Sequence, residues 1–125
     1  MIRQPTTIWK ALAWHRNYLN GRDVPRHEDE PQCGYYRRRF VKGGPYVPVR
    51  IYMLQEVDDV TGELTEPEVL RADQNGEPAD PVRIWSHLHP ISEEQYLALV
   101  QEHAANPKMK ATHVAVDLSR EAIRP

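Results

Sequence analysis

The feature that most constrains this fold is a pair of strand-like segments separated by two glycines. The run CGYYRRRFVK begins at residue 33, and YVPVRIYML follows GGP at residue 46. Two such runs around Gly-Gly-Pro predict strand, tight turn, strand. Alternation along the second run predicts one apolar face and one aromatic, basic face. The apolar face holds Val47, Val49, Ile51 and Met53, and the other holds Tyr46, Pro48, Arg50 and Tyr52. Pro48 predicts an edge strand or a bulge.

Further turn signals extend this hairpin into an antiparallel meander. The segment DDVTGEL, at 58–64, combines an entering Asp with Gly62, which can take a positive φ. A short strand is predicted over 69–72. Asn75-Gly76 follows it and is typical of a type I′ hairpin turn.

Helices are predicted on both sides of the meander. Residues 8–20 lack Gly and Pro, with Thr6 or Thr7 as the cap and Gly21 after the end. Asp80-Pro81 predicts the start of a short helix over about 81–88 that carries Trp85. Ser92 and Gln95 form a capping box, which predicts a helix to about residue 105.

These elements predict an α+β fold in a single domain, 1–125, which suits a chain of 125 residues. The N-terminal helix and two C-terminal helices would pack on the apolar face of the sheet; a closed small barrel is the alternative. Residues 108–125 would form a last strand or a partly ordered arm. The predicted core comprises Leu12, Leu19, Val47, Val49, Ile51, Leu70, Trp85, Leu97 and Val100.

Composition excludes several classes of protein. No run of apolar residues approaches the ~18 of a membrane span, and no apolar segment follows the start as in a secretory signal. The single cysteine, Cys33, excludes an internal disulfide and a cysteine zinc cluster. A reducing, cytoplasmic setting without membrane contact is therefore expected.

Charge is distributed unevenly, although the net charge is only −2. Residues 34–52 contain five basic residues and no acid, whereas residues 53–80 contain nine acids and one base. Such asymmetry can mark a binding surface. Alternatively, the two segments pair as neighbouring strands and neutralise each other.

The basic, aromatic hairpin is the principal candidate site, for nucleic acid or for a partner protein. Aromatic rings can stack on bases while guanidinium and ammonium groups contact phosphates. The candidate residues are Tyr36, Arg37, Arg38, Arg39, Lys42, Tyr46, Arg50 and Tyr52, with Phe40 as a further possible stacking residue.

Two other functions stay open. A protein-interaction module or inhibitor of a host protein would use the charged segments for docking. A small metal-dependent enzyme would use His87 and His89, with His103 or His113 completing the site. No motif predicts a catalytic residue or a cofactor. A monomer, or a homodimer through the hairpin edge or the Trp14/Tyr18 surface, fits the pattern.

The order of these segments also resembles a group of small proteins encoded by bacteriophages and prophages. The resemblance covers about residues 33–100, including CGYYRRRFVKGGPYVPVRIY, TGEL, NGEPADPVRIW and PISEEQY. It implies a bacterial cytoplasmic setting during phage growth, and it implies no particular activity or catalytic residue.

Overall fold

The computed structural model describes residues 4–105, which form a five-stranded antiparallel sheet and four helices. The strands are β1 (Gly34–Arg38), β2 (Val47–Leu54), β3 (Val69–Gln74), β4 (Glu77–Ala79) and β5 (His89–Pro90). The helices are α1 (Ile8–Ala11), α2 (Ala13–Leu19), α3 (Pro81–Ile84) and α4 (Glu93–Ala105), with a 3-10 turn over Trp85–His87. The α+β prediction is confirmed. The strand or arm predicted over 108–125 lies outside the described residues.

The sheet has the strand order β4-β3-β2-β1-β5, so β2 is central. The β3–β4 connection is the predicted Asn-Gly turn, with φ of 51° at Asn75 and 89° at Gly76. The prediction of an edge or bulge at Pro48 is wrong, because Pro48 is under 2% exposed and pairs with Arg37 on β1. Pro48 lacks only the N–H donor; its carbonyl accepts a hydrogen bond from the N–H of Asn75 at 2.8 Å.

The main core lies on the face of the sheet that Tyr36 shares with the valines of β2. Tyr36 pairs with Val49, and the Tyr36 ring meets Trp85 edge to face at 5.4 Å between centroids. The buried cluster comprises Tyr36, Val49, Ile51, Ala72, Ile84, Trp85 and Leu88. α3 and the following 3-10 turn therefore cover this face.

The polar loop over 22–32 supports this core through one arginine. The guanidinium of Arg26 lies 4.3 Å from the centre of the Trp85 ring and donates to the carbonyls of Trp85 and Leu88. The Trp85 indole donates to the carbonyl of His27 at 2.8 Å. These contacts satisfy polar groups around an otherwise apolar cluster.

The N-terminal helix begins after Thr7, whose hydroxyl accepts from the N–H of Lys10, and it divides at Leu12. His15 is only 5% exposed, and its Nε2 lies 2.9 Å and 2.8 Å from the carbonyl oxygens of Tyr35 and Ile91. Both partners are acceptors, so Nε2 carries the proton. A Cβ at Gly34 would lie 2.4 Å from the His15 ring, so glycine is required for this approach.

The position of His15 explains why Leu19, which was predicted in the core, lies at the surface. Ile8 is 75% exposed and Leu19 is 42% exposed, because the contact of His15 with the sheet sets the rotation of the helix. Trp14 instead packs against the core, meeting Trp85 at 5.4 Å.

Helix α4 begins with the predicted capping box. The N–H of Ser92 donates to Oε1 of Gln95, and the N–H of Gln95 donates to Oγ of Ser92. Its Tyr96 ring packs on Tyr35 at 5.0 Å between centroids. Because Tyr35 and Tyr36 are neighbours on one strand, they project to opposite faces. α4 therefore lies across the sheet from α3, whereas the sequence predicted both helices on one face.

The contact side of α4 also differs from the prediction. Leu97 and Val100 are 51% and 36% exposed, while His103 is 1% exposed and its Nε2 lies 2.7 Å from the carbonyl oxygen of Tyr46. Of the predicted core, Val47, Val49, Ile51 and Trp85 are buried, Leu12 and Leu70 are partly buried, and Leu19, Leu97 and Val100 are exposed.

Candidate nucleic-acid interface

The β1–β2 turn and six of the nine acids of segment 53–80 lie at opposite ends of β2, whereas Asp73 on β3 and Glu77 on β4 lie near the basic end. The β1–β2 connection, residues 39–46, precedes β2, and the loop over 55–68 follows it. We call residues 37–46 the basic turn and residues 55–68 the acidic loop, which contains six acids. The eight residues of β2 separate the two by about 25 Å at roughly 3.4 Å per residue. The fold therefore separates the basic turn from the six acids of the acidic loop along the length of β2.

Strand pairing leaves only limited opportunity for neutralisation across the sheet. β1 lies between β2 and β5, whereas the acid-bearing β3 and β4 lie on the other side of β2. Within the basic segment, Arg50 is paired in register with an acid, Asp73. Arg37 is paired with Pro48 and His89, and Arg38 with Val47. Strand register thus pairs Arg50 with an acid, whereas the register partners of Arg37 and Arg38 carry no carboxylate.

Two arginines of the basic turn contact the same tyrosine ring. The guanidinium carbons of Arg37 and Arg39 lie 4.1 Å and 4.2 Å from the ring centre of Tyr46. Cation–π contacts of this kind restrain a long side chain without cancelling its charge. Arg39 and the nearby Lys42 are exposed, and Arg37 is partly exposed. The basic turn therefore presents restrained positive charge to solvent.

Arg50 and Arg38 each have a similar aromatic contact outside this pair. Arg50 is exposed and lies 4.4 Å from the ring centre of Tyr52, farther along β2. Arg38 lies 4.8 Å from the ring centre of Phe40, and its Nη1 donates to Oε1 of Gln74 at 2.9 Å. Burial lowers the pKa of Arg38, yet a guanidinium stays protonated at neutral pH. All four arginines are thus in contact with aromatic rings.

Tyr36 was predicted to lie at the candidate surface, and this prediction is wrong. It is fully buried, and its hydroxyl donates to the carbonyl of Gln32 at 2.7 Å. Because it neighbours Tyr35 on the strand, Tyr36 projects to the opposite face, which is the apolar face with Val49. It is therefore not part of the candidate surface. Tyr46 and Tyr52 are half-buried and stay at the surface.

Sequence reasoning missed the residues that hold the basic turn in place. His103 on α4 lies against the backbone carbonyl of Tyr46, and Gln74 on β3 positions Arg38. Neither residue forms a local motif with the hairpin, since 57 and 36 positions separate the bonded pairs. The one signal in the sequence was a histidine, His103, near the end of the helix predicted to about residue 105.

The structure gives the metal alternative no support. His87 and His89 are exposed, and within residues 4–105 no cluster of three or more His, Cys, Asp or Glu side chains could hold a metal ion. His103 is buried against Tyr46, and His113 lies outside the described residues.

The acidic loop is an ordered turn with an exposed tip. Oδ1 of Asp58 accepts from the N–H groups of Val60 and Thr61, and these bonds lower the pKa of Asp58. Glu68 accepts from Thr6 and Gln55, which lower its pKa and tie the loop to the N-terminal segment. Val60 at the tip is 93% exposed.

Across residues 4–105, no helix has the length and apolar character needed to cross a membrane. Comparison of the chain with protein-family models, curated proteins and solved structures finds no match.

Proposed function

We propose that this protein binds nucleic acid by contacting its phosphates with the basic turn. The observation that carries this proposal is the stacking of Arg37 and Arg39 on Tyr46, with Lys42 exposed in the same turn. Restrained guanidinium groups suit phosphate recognition because their donors are planar and already ordered. The acidic loop lies at the far end of β2, so its repulsion of a bound phosphate chain is reduced.

Because Tyr36 is buried, fewer aromatic rings are left at the surface to stack on bases. The rings of Tyr46 and Tyr52 already contact guanidinium groups. A base would therefore stack on an arginine–tyrosine pair and not on an uncovered ring. Phosphate contact then supplies most of the affinity, with modest sequence preference. Arg50 and Tyr52, farther along β2, would extend the surface beyond the turn.

Fluorescence anisotropy titrations test this proposal directly. Labelled single- and double-stranded DNA and RNA are titrated at about 50 and 200 mM salt, a range over which phosphate contacts weaken strongly. The test variant is Arg39→Ala/Lys42→Ala, because both side chains are exposed and their loss should spare the fold. For single strands, the slope of log K against log salt should fall by about 0.7 per lost phosphate contact, so by about 1.4.

The matched control is Arg22→Ala/Arg83→Ala, which removes the same charge from two exposed positions outside the basic turn. The control should keep nearly the wild-type slope. Equal losses in both variants would mean that net charge alone drives binding. No binding by the wild type at the lower salt would contradict the proposal outright.

Protein docking through the acidic loop is a second candidate function. The observation that favours it is Val60, which is 93% exposed and flanked by acids in an ordered turn. An apolar anchor within a charged rim is typical of protein recognition sites. A pull-down from bacterial lysate should capture a protein with the wild type and lose it with Val60→Asp. Identical capture by both forms would contradict this role of the loop.

A further inference from the structure

The surface beside α1 and α2 contains two adjoining cavities, and the basic turn lines neither of them. The larger has a volume of about 360 Å³, and the smaller has about 180 Å³. Ile8, Leu12 and Tyr35 line both cavities, which we together call the helix groove. Trp9 and Leu19 extend the wall of the larger cavity.

The edge of the helix groove is unusually apolar for an exposed surface. Ile8 is 75%, Trp9 69% and Leu19 42% exposed. Contiguous exposed apolar side chains of this kind mark interaction sites in water-exposed domains. The groove therefore offers both a recess and side chains able to fill a similar recess.

Trp9 is held in its exposed position by Arg16. The guanidinium carbon of Arg16 lies 3.5 Å from the ring centre of Trp9, and Nη1 donates to the Trp9 carbonyl at 2.9 Å. A tryptophan ordered before binding loses little conformational freedom on docking, which is the behaviour of an interface anchor.

The charged residues that line the groove indicate what it binds. Arg16 and Glu93, one of each sign, both line the larger cavity, and Arg50 lines the smaller one. A wall of a single sign would repel a second copy of the same chain. A wall with both signs is self-complementary about a twofold axis, because each cation can face the other copy's anion.

We propose that the helix groove is the interface of a twofold homodimer. Trp9 of each copy enters the groove of the other, and Arg16 of each copy pairs with the other copy's Glu93. One carboxylate oxygen of Glu93 accepts from the Tyr35 hydroxyl at 3.3 Å within its own chain, which leaves the second oxygen for Arg16. This inference goes beyond nucleic-acid binding and does not depend on it.

Sedimentation velocity at rising protein concentration tests the dimer. From about 1 to 200 µM, a range that covers weak association, the wild-type mass should rise from 14.5 kDa toward twice that value. Trp9→Ala should weaken dimerisation at least roughly tenfold, as expected for an aromatic anchor. Val82→Ala, which removes an exposed apolar side chain that lines neither cavity, should leave dimerisation unchanged.

Charge reversal tests the pairing itself. Arg16→Glu and Glu93→Arg should each weaken the dimer, and the double variant should recover part of the loss. A wild type that stays monomeric throughout the range overturns the proposal and assigns the groove to a different polypeptide. A dimer that Trp9→Ala leaves intact overturns it as well. Either result is independent of the anisotropy titrations, so failure of one proposal is distinguishable from failure of the other.

Discussion

The two faces of the β1–β2 ribbon use the same residue types for different purposes. On one face, Tyr36 is fully buried, meets Trp85 and donates to a backbone carbonyl. On the other, Tyr46 is half-buried and contacts two guanidinium groups. Strand alternation, rather than aromatic character, decides which tyrosine stabilises the core and which one orders surface charge.

This difference separates stability from binding. The face with Tyr36 is covered by α3 and contains the apolar cluster, so changes there act on folding. The face with Tyr46 carries exposed arginines beside α4, so changes there act mainly on recognition. Substitutions at matched positions can test whether the two faces are this distinct.

The largest expected effect is that of Tyr36→Ala. Removing a fully buried aromatic ring should cost about 3–5 kcal/mol of the free energy of unfolding, from lost transfer energy and the cavity left behind. Tyr46→Ala should cost about 1 kcal/mol, because its ring mainly makes partly exposed cation–π contacts. Urea unfolding followed by circular dichroism measures both, and equal losses would erase the distinction between the faces.

A smaller loss in the free energy of unfolding is expected from Gly34→Ala. The added Cβ would lie 2.4 Å from the His15 ring, so the helix must shift, at a cost of about 1–3 kcal/mol. Combining it with His15→Ala should cost less than the sum of the two single changes, since the ring contacts at 2.4 and 2.6 Å disappear and only the 2.9 Å contact with the His15 Cβ is left. Additive losses in this double-mutant cycle would show that the close approach is unimportant.

Ser92→Ala tests the helix on the recognition face. Loss of the hydroxyl that accepts from Gln95 should cost about 1 kcal/mol at the start of α4. Nucleic-acid affinity should change little, because His103 at the other end of α4 supports the Tyr46 backbone. Ser86→Ala, at an exposed position in the 3-10 turn, is the control. A strong loss of binding would mean that the whole helix positions the basic turn.

The smallest effect on the free energy of unfolding is expected from titration of His15. Burial lowers the pKa of His15 below its ordinary 6.5, although two backbone carbonyl bonds partly oppose this shift. The unfolded chain therefore binds a proton more readily than the folded protein. Stability should be complete above pH 6.5 and decline as the pH falls toward the folded-state pKa.

Urea midpoints measured between pH 7.5 and pH 5.5, a window around the ordinary histidine pKa of about 6.5, follow this decline. His15→Gln should flatten the profile, because it removes the titrating imidazole. A flat wild-type profile would contradict the assignment of pH sensitivity to His15.

Local patterns in the sequence determined the helix caps, the tight turn and the buried face of β2. The capping box at Ser92, the Asp80 cap and the Asn-Gly turn were all predicted, because each depends on residues within a few positions of one another. The alternation in β2 likewise identified Val47, Val49 and Ile51 as buried. These features need no knowledge of the rest of the fold.

Tertiary structure alone decided how the helices face the sheet and which face of β1 the apolar core covers. Hydrogen bonds from His15 to carbonyls 20 and 76 positions away set the rotation of α2 and left Ile8 and Leu19 exposed. The placement of α4 across the sheet from α3 depends on contacts between distant strands and helices. Such contacts follow from the shape of the whole domain, and no local periodicity in the sequence encodes them.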